Sequence, residues 1–121
     1  MENYKEIENN LDYTFKNKQL LENALTHTSY AYENNQKSNE KLEFLGDSIL
    51  EYISSDYIYQ NYKDLKEGEM TKVRATVVCE KSLHKVAQKH HLENYIKVGN
   101  SERHTGGNKK PAIMADCVEA I

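Results

Sequence analysis

Apolar residues recur three and four positions apart along most of the chain, which is the spacing of helices with one buried face. Residues 4–11 predict a short first helix, and the apolar stripe over residues 19–25 predicts a second one. The polar stretch over residues 33–38 predicts a loop. Ser38 or Asn39 can cap the helix that follows, because both side chains accept hydrogen bonds from free backbone N–H groups.

The segment from residue 39 to residue 54 predicts a helix with one buried face. The large aliphatic residues that mark this face are Leu42, Leu45, Ile49, Leu50 and Ile53. A further helix is predicted over residues 55–65. Gly68 fits the end of that helix, because glycine is common just past helix C-termini.

The longest periodic segment runs from residue 69 to residue 91 and predicts another helix. Its inward-facing residues are predicted to be Met70, Val73, Val77, Leu83, Val86 and Ala87. Residues 99–111 are the least ordered stretch by composition, and Pro111 suits the start of a last helix. A single proline and five glycines among strong helix formers predict an all-helical fold.

The composition is that of one soluble globular domain. The chain has 121 residues, of which 38% are hydrophobic and 29% are charged. It contains neither an apolar run long enough to span a membrane nor a secretory signal, so we expect a cytoplasmic protein without a membrane partner. Cys79 and Cys117 fit no zinc spacing, which favours buried free thiols.

The net charge of −3 argues, taken alone, against a protein that binds nucleic acid. Contacts with phosphates need lysine and arginine, and the acidic residues outnumber them. The objection weakens if several acids cluster at a metal site, because a divalent cation reverses the local field. Total charge therefore leaves the function open.

A first acidic cluster lies in N-E-K-L-E-F-L-G-D-S, residues 39–48. Glu40, Glu43 and Asp47 share one helical face, and they lie at the edge of the apolar stripe. Gly46 weakens the helix, which makes sense if something must approach the backbone closely. The alternative interpretation is an acidic surface that is merely solvated.

A second acidic cluster lies in A-D-C-V-E-A, residues 115–120. Asp116 and Glu119 share a face of a mostly apolar helix, which should run through the core. Buried carboxylates need partners, so a pair of structural salt bridges is the alternative. Together, the two clusters suggest a site for a hard cation such as Mg²⁺, which prefers oxygen ligands.

The chain resembles the endonuclease domain of the ribonuclease III family, and nearly its whole length takes part, in the family's order. The segments that carry the resemblance are L-T-H-T-S-Y (25–30), N-E-K-L-E-F-L-G-D-S (39–48), E-G-E-M-T-K-V-R-A-T-V-V-C-E-K-S-L (67–83), Y-I-K-V-G (95–99) and A-D-C-V-E-A (115–120). The resemblance implies an all-α, homodimeric endonuclease domain. It also implies Mg²⁺-dependent hydrolysis of double-stranded RNA to 5′-phosphate and 3′-hydroxyl ends, in rRNA and mRNA processing, with Mn²⁺ as a possible substitute ion.

The resemblance also assigns roles to the acidic residues. Those that match the family's metal-binding carboxylates are Glu43, Asp47, Asp116 and Glu119. Asp47 and Glu119 are the catalytic residues by this match, while Glu40 and Glu67 match two acids that support the site.

Two further sets of residues are expected to contact partners. The candidate contacts to the RNA backbone are Lys72, Arg74, Lys109 and Lys110, and a solvated surface charge is the alternative for each. Phe44 interrupts an otherwise acidic patch and is expected to anchor the homodimer, with burial in the core as the alternative.

The domain assignment is a catalytic domain over residues 1–121, truncated at its C-terminus and without the double-stranded-RNA-binding domain that family members usually carry. We therefore expect weak RNA binding with a shallow salt dependence. One competing hypothesis is a non-catalytic module for RNA binding or dimerisation on the same fold. Another is a helical protein whose acids only form salt bridges.

Overall fold

The structure, a computed structural model, describes residues 4–121 and confirms the predicted all-helical fold for this part of the chain. The α-helices are α1 Tyr4–Leu11, α2 Lys18–Ala24, α3 Thr28–Asn34, α4 Glu40–Asn61, α5 Glu67–Val77, α6 Glu80–Lys89, α7 Asn100–His104 and α8 Pro111–Ala120. Two 3₁₀ turns cover Leu92–Asn94 and Gly107–Lys109. The only β pairing among the described residues is an isolated bridge between Thr26 and Lys97. None of the described helices is long and apolar enough to cross a membrane.

Three of the predicted helices are confirmed to within one residue at each end. Helix α1 has the predicted bounds, and α2 begins one residue before the predicted stripe. Asn17 caps α2, because its side-chain oxygen accepts hydrogen bonds from the backbone N–H groups of Gln19 and Leu20 at 3.0 and 3.3 Å. Pro111 occupies the first turn of α8, where its missing N–H group leaves no bond unmade.

The predicted break between residues 54 and 55 is wrong, since α4 is one helix of 22 residues. The hydroxyl of Ser54 donates a hydrogen bond to the backbone carbonyl of Leu50 at 2.7 Å. The polar side chain of Ser54 therefore has a partner within the helix, and the helix continues past it. Gly68 lies in the first turn of α5 and not at the end of the preceding helix. The predicted helix over residues 69–91 is two helices, because the chain turns after Val77 and α6 begins at Glu80.

Helices α3 and α7 were missed because polar contacts, not apolar periodicity, hold them. His27 caps α3, since its Nδ1 accepts a hydrogen bond from the backbone N–H of Ser29 at 3.2 Å. The Glu33 carboxylate accepts one from the backbone N–H of Asn100 at 2.9 Å and so anchors the start of α7. The stretch predicted to be least ordered therefore contains a helix and a 3₁₀ turn.

The core forms around α8, which packs against α4 and α6. Its buried residues include Ile7, Leu21, Leu25, Ala87, Leu92, Ile96, Val98, Ile113, Met114 and Cys117. A fully buried aliphatic side chain contributes about 1.5–3 kcal/mol, so packing stabilises the ten-residue α8 more than its own propensity does. Both cysteines are free; Cys117 is buried, whereas Cys79 is partly exposed, against the prediction that both are buried.

The predicted buried faces of α4, α5 and α6 are partly wrong. On α4, Leu45 and Ile53 are each 56% exposed, and Ile49 is also exposed. Val77 and Val86, which were predicted to face inward, are exposed as well. Apolar periodicity identifies a helix face whose burial is favourable. Because α8 packs on another side of α4, the apolar face of α4 stays exposed in the single chain.

Candidate metal centre

Helices α4 and α8 cross in close contact at Gly46. A Cβ atom placed there would lie 1.6 Å from the carbonyl oxygen of Glu119 and 2.6 Å from its carbonyl carbon. Only a glycine permits this approach, because real Cβ atoms essentially never come within 3.0 Å of another heavy atom. The sequence-based expectation of a close backbone approach at Gly46 is confirmed, and the approaching group is the backbone of α8.

The crossing brings acids from the two distant clusters together. Carboxylate oxygens of Glu43 from α4 and of Asp116 and Glu119 from α8 lie within 4.8 Å of one another. Asp47, one turn beyond Glu43, accepts a hydrogen bond from protonated Glu119. All four acids that the sequence analysis proposed as metal ligands therefore meet at one place.

Partial burial, together with the close approach of their neighbours, makes Glu43, Asp116 and Glu119 hold protons more tightly than usual. Partial burial raises the pKa of Glu43 to about 7, and the neighbouring charge of Asp116 adds to the effect. Burial and then the hydrogen bond to Asp47 raise the pKa of Glu119 to about 7. Burial also raises the pKa of Asp116, although the hydrogen bond from Glu43 and the electrostatic interaction with His27 oppose it. The metal-free site thus holds protons, which a bound cation would displace.

The acids open onto solvent through a cleft of about 380 Å³, which we call the acidic cleft. It is lined by Glu40, Glu43, Phe44, Asp47 and Glu119. Within residues 4–121, no lysine or arginine forms an ion pair with any of the four clustered acids. The alternative of structural salt bridges therefore finds no support in the described chain.

Of the other residues predicted to belong to the site, some line the acidic cleft and some do not. Glu40 lines the acidic cleft, but Glu67 lines a different cleft of about 320 Å³, beside Ser55 and Arg74. The structure of the single chain therefore does not bring Glu67 to the other acids. Phe44 is 79% exposed at the edge of the acidic cleft, so the alternative of burial in the core is wrong for this chain.

The four basic residues proposed to contact RNA differ in their surroundings. Arg74 donates a hydrogen bond to the hydroxyl of Ser55 at 3.0 Å, and Lys110 pairs with Glu102 at 2.9 Å. Lys72 and Lys109 are exposed. Two of the four side chains are thus engaged within the chain.

Two titratable neighbours of Asp116 were missed by the sequence reasoning. Electrostatic interaction with His27 lowers the pKa of Asp116, and electrostatic interaction with Glu80 raises it. His27 belongs to the segment L-T-H-T-S-Y, but nothing in its spacing relates it to residues almost ninety positions later. Only the folded chain places α3 and the start of α6 beside α8.

Comparison with known proteins places this arrangement in context. The model of a family described as "Ribonuclease-III-like" matches residues 17–121. Ribonuclease 3 of Listeria monocytogenes is 44% identical over 124 residues, which covers 100% of this chain and 54% of that protein. Ribonuclease 3 of Clostridium perfringens is 49% identical over 117 residues, which covers 96% of this chain and 49% of that protein. The chain thus spans about half the length of the curated relatives it matches.

Two solved structures resemble the chain over all or nearly all of its length. The crystal structure of the nuclease domain of ribonuclease III from Campylobacter jejuni superposes with a TM-score of 0.91 at 40% identity, and the match covers 100% of this chain and 80% of that one. A second structure of the same nuclease domain has a TM-score of 0.90 at 39% identity and was described for structural flexibility in a region involved in dimer formation.

Proposed function

Since the chain belongs to the ribonuclease III-like family, we propose that it carries the catalytic centre of an endonuclease that hydrolyses double-stranded RNA. The observation that supports this proposal most directly is the convergence of Glu43, Asp116 and Glu119 within 4.8 Å, with Asp47 hydrogen-bonded beside them. The products would be 5′-phosphate and 3′-hydroxyl ends. The roles in rRNA and mRNA processing and the cytoplasmic location stay predictions from the sequence.

The donor set fits Mg²⁺, and Mn²⁺ as a substitute. All the clustered ligand atoms are carboxylate oxygens, which are the donors that hard divalent cations prefer. When bound, the ion lowers the pKa of a water molecule and neutralises charge on the phosphate. Glu43 and Glu119 must give up their protons to become ligands, so the affinity for the ion should increase as the pH rises through 7.

Residues of the chain itself can position the attacking water and favour binding of the ion. Asp47 and Glu119 line the open acidic cleft, where their carboxylates can hold an attacking water by accepting its hydrogen bonds. A hydrogen bond between Glu43 and Asp116 links α4 to α8 in the metal-free state. Glu40 at the cleft edge adds negative charge that favours a cation there. Glu67 would act on this site only through a second copy of the chain.

The proposed substrate is recognised by its backbone and its shape. A-form RNA shows its 2′-hydroxyls in a wide, shallow minor groove, which proteins read without regard to sequence. Lys72 and Lys109 are exposed and can contact phosphates directly. Arg74 and Lys110 would have to exchange their present partners, Ser55 and Glu102, for phosphates.

The proposed homodimer would form through the open face of α4. Its exposed apolar and aromatic residues are Phe44, Leu45, Ile49, Tyr52, Ile53, Tyr57 and Tyr59. Many exposed apolar and aromatic side chains on one helix are typical of a protein–protein interface. Because Phe44 lies at the edge of the acidic cleft, a partner packed there would bring two centres near one another, one for each RNA strand.

A cleavage assay on a long RNA duplex tests the proposed function. We expect cutting with Mg²⁺, no cutting with a chelator, and loss of at least about a hundredfold in rate for Asp47→Asn and for Glu119→Gln. Asp64→Asn is the matched control, because Asp64 is an exposed acid that lines none of the clefts described above. Wild-type protein that binds the duplex but never cuts it would favour a non-catalytic module instead.

A further inference from the structure

A second cleft adjoins the acidic cleft at the start of α4. Its volume is about 510 Å³, and it opens between α3 and the loop that leads into α4. The polar residues that line it are Thr28, Tyr32, Asn35, Gln36, Ser38 and Glu40. Glu40 lines both clefts, so they share one wall. A polymer strand that lies in the acidic cleft can therefore continue into this one, which we call the α3 cleft.

The α3 cleft presents neutral hydrogen-bonding groups that have no partner within the described chain. Tyr32 is 91% exposed, and its hydroxyl forms no hydrogen bond within residues 4–121. The side-chain amides of Asn35 and Gln36 form none either within that range. These three side chains can donate and accept hydrogen bonds without first breaking any contact.

The charge of the α3 cleft distinguishes among possible ligands. Apart from Glu40 at the shared wall, no charged residue lines it. Neutral side chains can also bond to phosphate oxygens, but no lysine or arginine lines this cleft to neutralise a phosphate, so it suits the uncharged parts of a nucleic acid better than its charged backbone. A ribose 2′-hydroxyl is a neutral group that both donates and accepts, and it matches the hydroxyl and amide groups of Tyr32, Asn35 and Gln36.

We propose that the α3 cleft binds 2′-hydroxyls of the RNA strand whose backbone runs through the acidic cleft, and so contributes to the distinction between RNA and DNA. This inference rests on the proposed function and names a subsite for its substrate. Tyr32 and Gln36 provide the contacts that can be tested most cleanly. Asn35 has a φ of 52°, a left-handed conformation that asparagine tolerates better than most residues, so replacing it would also disturb the backbone.

The test uses two small substitutions and two matched controls. Tyr32→Phe removes a single hydroxyl, and Gln36→Ala removes one amide from an exposed loop residue. The controls are Tyr13→Phe and Gln88→Ala, which change an exposed tyrosine and an exposed glutamine outside both clefts. A thermal melt of each variant verifies that the fold is retained.

Binding is measured by fluorescence anisotropy with Mg²⁺, in a Glu119→Gln background that prevents cleavage during the titration. The ligands are an RNA duplex and the same duplex with 2′-deoxyribose in the segment that flanks the cleavage position. We expect Tyr32→Phe and Gln36→Ala each to weaken binding of the all-RNA duplex by about three- to tenfold. Neither variant should weaken binding of the 2′-deoxy duplex further, and the controls should match the reference on both ligands.

Affinities of the two variants equal to the reference would overturn the inference, as would equal losses on both duplexes. Cleavage of the RNA duplex by the wild-type chain is measured in parallel. It distinguishes failure of the proposed subsite from failure of the proposed function. A wild-type chain that does not cut, while Tyr32→Phe shows the expected selective loss, would overturn the proposed function and support the subsite. No measurable binding of the RNA duplex to the reference protein would overturn both.

Discussion

Gly46→Ala should disable the metal centre although it adds only one methyl group to a helix. The new Cβ would lie 1.6 Å from the carbonyl oxygen of Glu119, and ordinary contact begins at 3.4 Å. The two helices must therefore separate by about 2 Å, because neither backbone atom can move aside as a flexible side chain would. Glu119 then moves away from Glu43 and Asp47 on α4.

The expected loss of activity in Gly46→Ala follows from the precision with which catalytic residues must be positioned. A misplacement of about 1 Å can lower the rate of an enzyme by roughly a hundredfold, so we expect at least that loss in single-turnover cleavage. Overpacking costs about 1–3 kcal/mol, of which the better helix propensity of alanine offsets roughly 0.5–1 kcal/mol. The free energy of unfolding should therefore decrease by at most about 2.5 kcal/mol, which leaves the protein folded enough to assay.

Gly68→Ala is the matched control, because it makes the same substitution in a helix where no heavy atom lies within 4 Å of the new Cβ. It should stabilise the protein by about 0.4–1 kcal/mol and leave cleavage unchanged. The assays are single-turnover cleavage of an RNA duplex and chemical denaturation of the metal-free protein. If Gly46→Ala cleaves within threefold of wild type, the contact between α4 and α8 does not set the position of Glu119, and the reasoning is refuted.

Three further predictions concern pH, assembly and salt. Because the pKa of Glu43 and of Glu119 is raised, the folded state holds more protons than the unfolded state between about pH 4.5 and 7. The melting temperature of the metal-free protein should therefore fall as the pH rises through this range. Glu119→Gln should flatten this dependence on pH, and an unchanged slope would argue against the raised pKa of Glu119. Phe44→Ala should weaken the dimer at least about tenfold in sedimentation equilibrium, whereas Tyr13→Ala, an exposed aromatic elsewhere, should not. Lys72→Ala and Lys109→Ala should each reduce the slope of log affinity against log salt by about one, and equal slopes would exclude them as phosphate contacts.

The composition of the site could be predicted from the sequence, but its geometry could not be derived from spacing. Helical periodicity places Glu43 and Asp47 on one face, and Asp116 and Glu119 on another, because the repeat of a helix is fixed. Nothing in either pattern says that the two faces meet. That expectation came from the chemistry of the two acid clusters and from the resemblance to a family, and Gly46 was the one local feature that indicated a close contact.

Errors in the fold prediction have two physical origins. Apolar periodicity on α4 identified Leu45 and Ile53 as residues whose burial is favourable. It could not distinguish burial within the same chain from burial against another chain. Helices α3 and α7 depend on caps and on the contact between Glu33 and Asn100, which lie far apart in the sequence. Contacts of this kind leave no periodic signal along the chain.

The central claim is that carboxylates from α4 and α8 jointly bind a divalent ion, and proton release on binding tests it directly. Isothermal titration of the metal-free protein with Mg²⁺ in two buffers of different ionisation enthalpy measures the protons released per ion. With Glu43 and Glu119 each near half protonation at pH 7, we expect about one proton released there and almost none at pH 9. Binding without proton release at pH 7, or no saturable binding at all, would contradict the account.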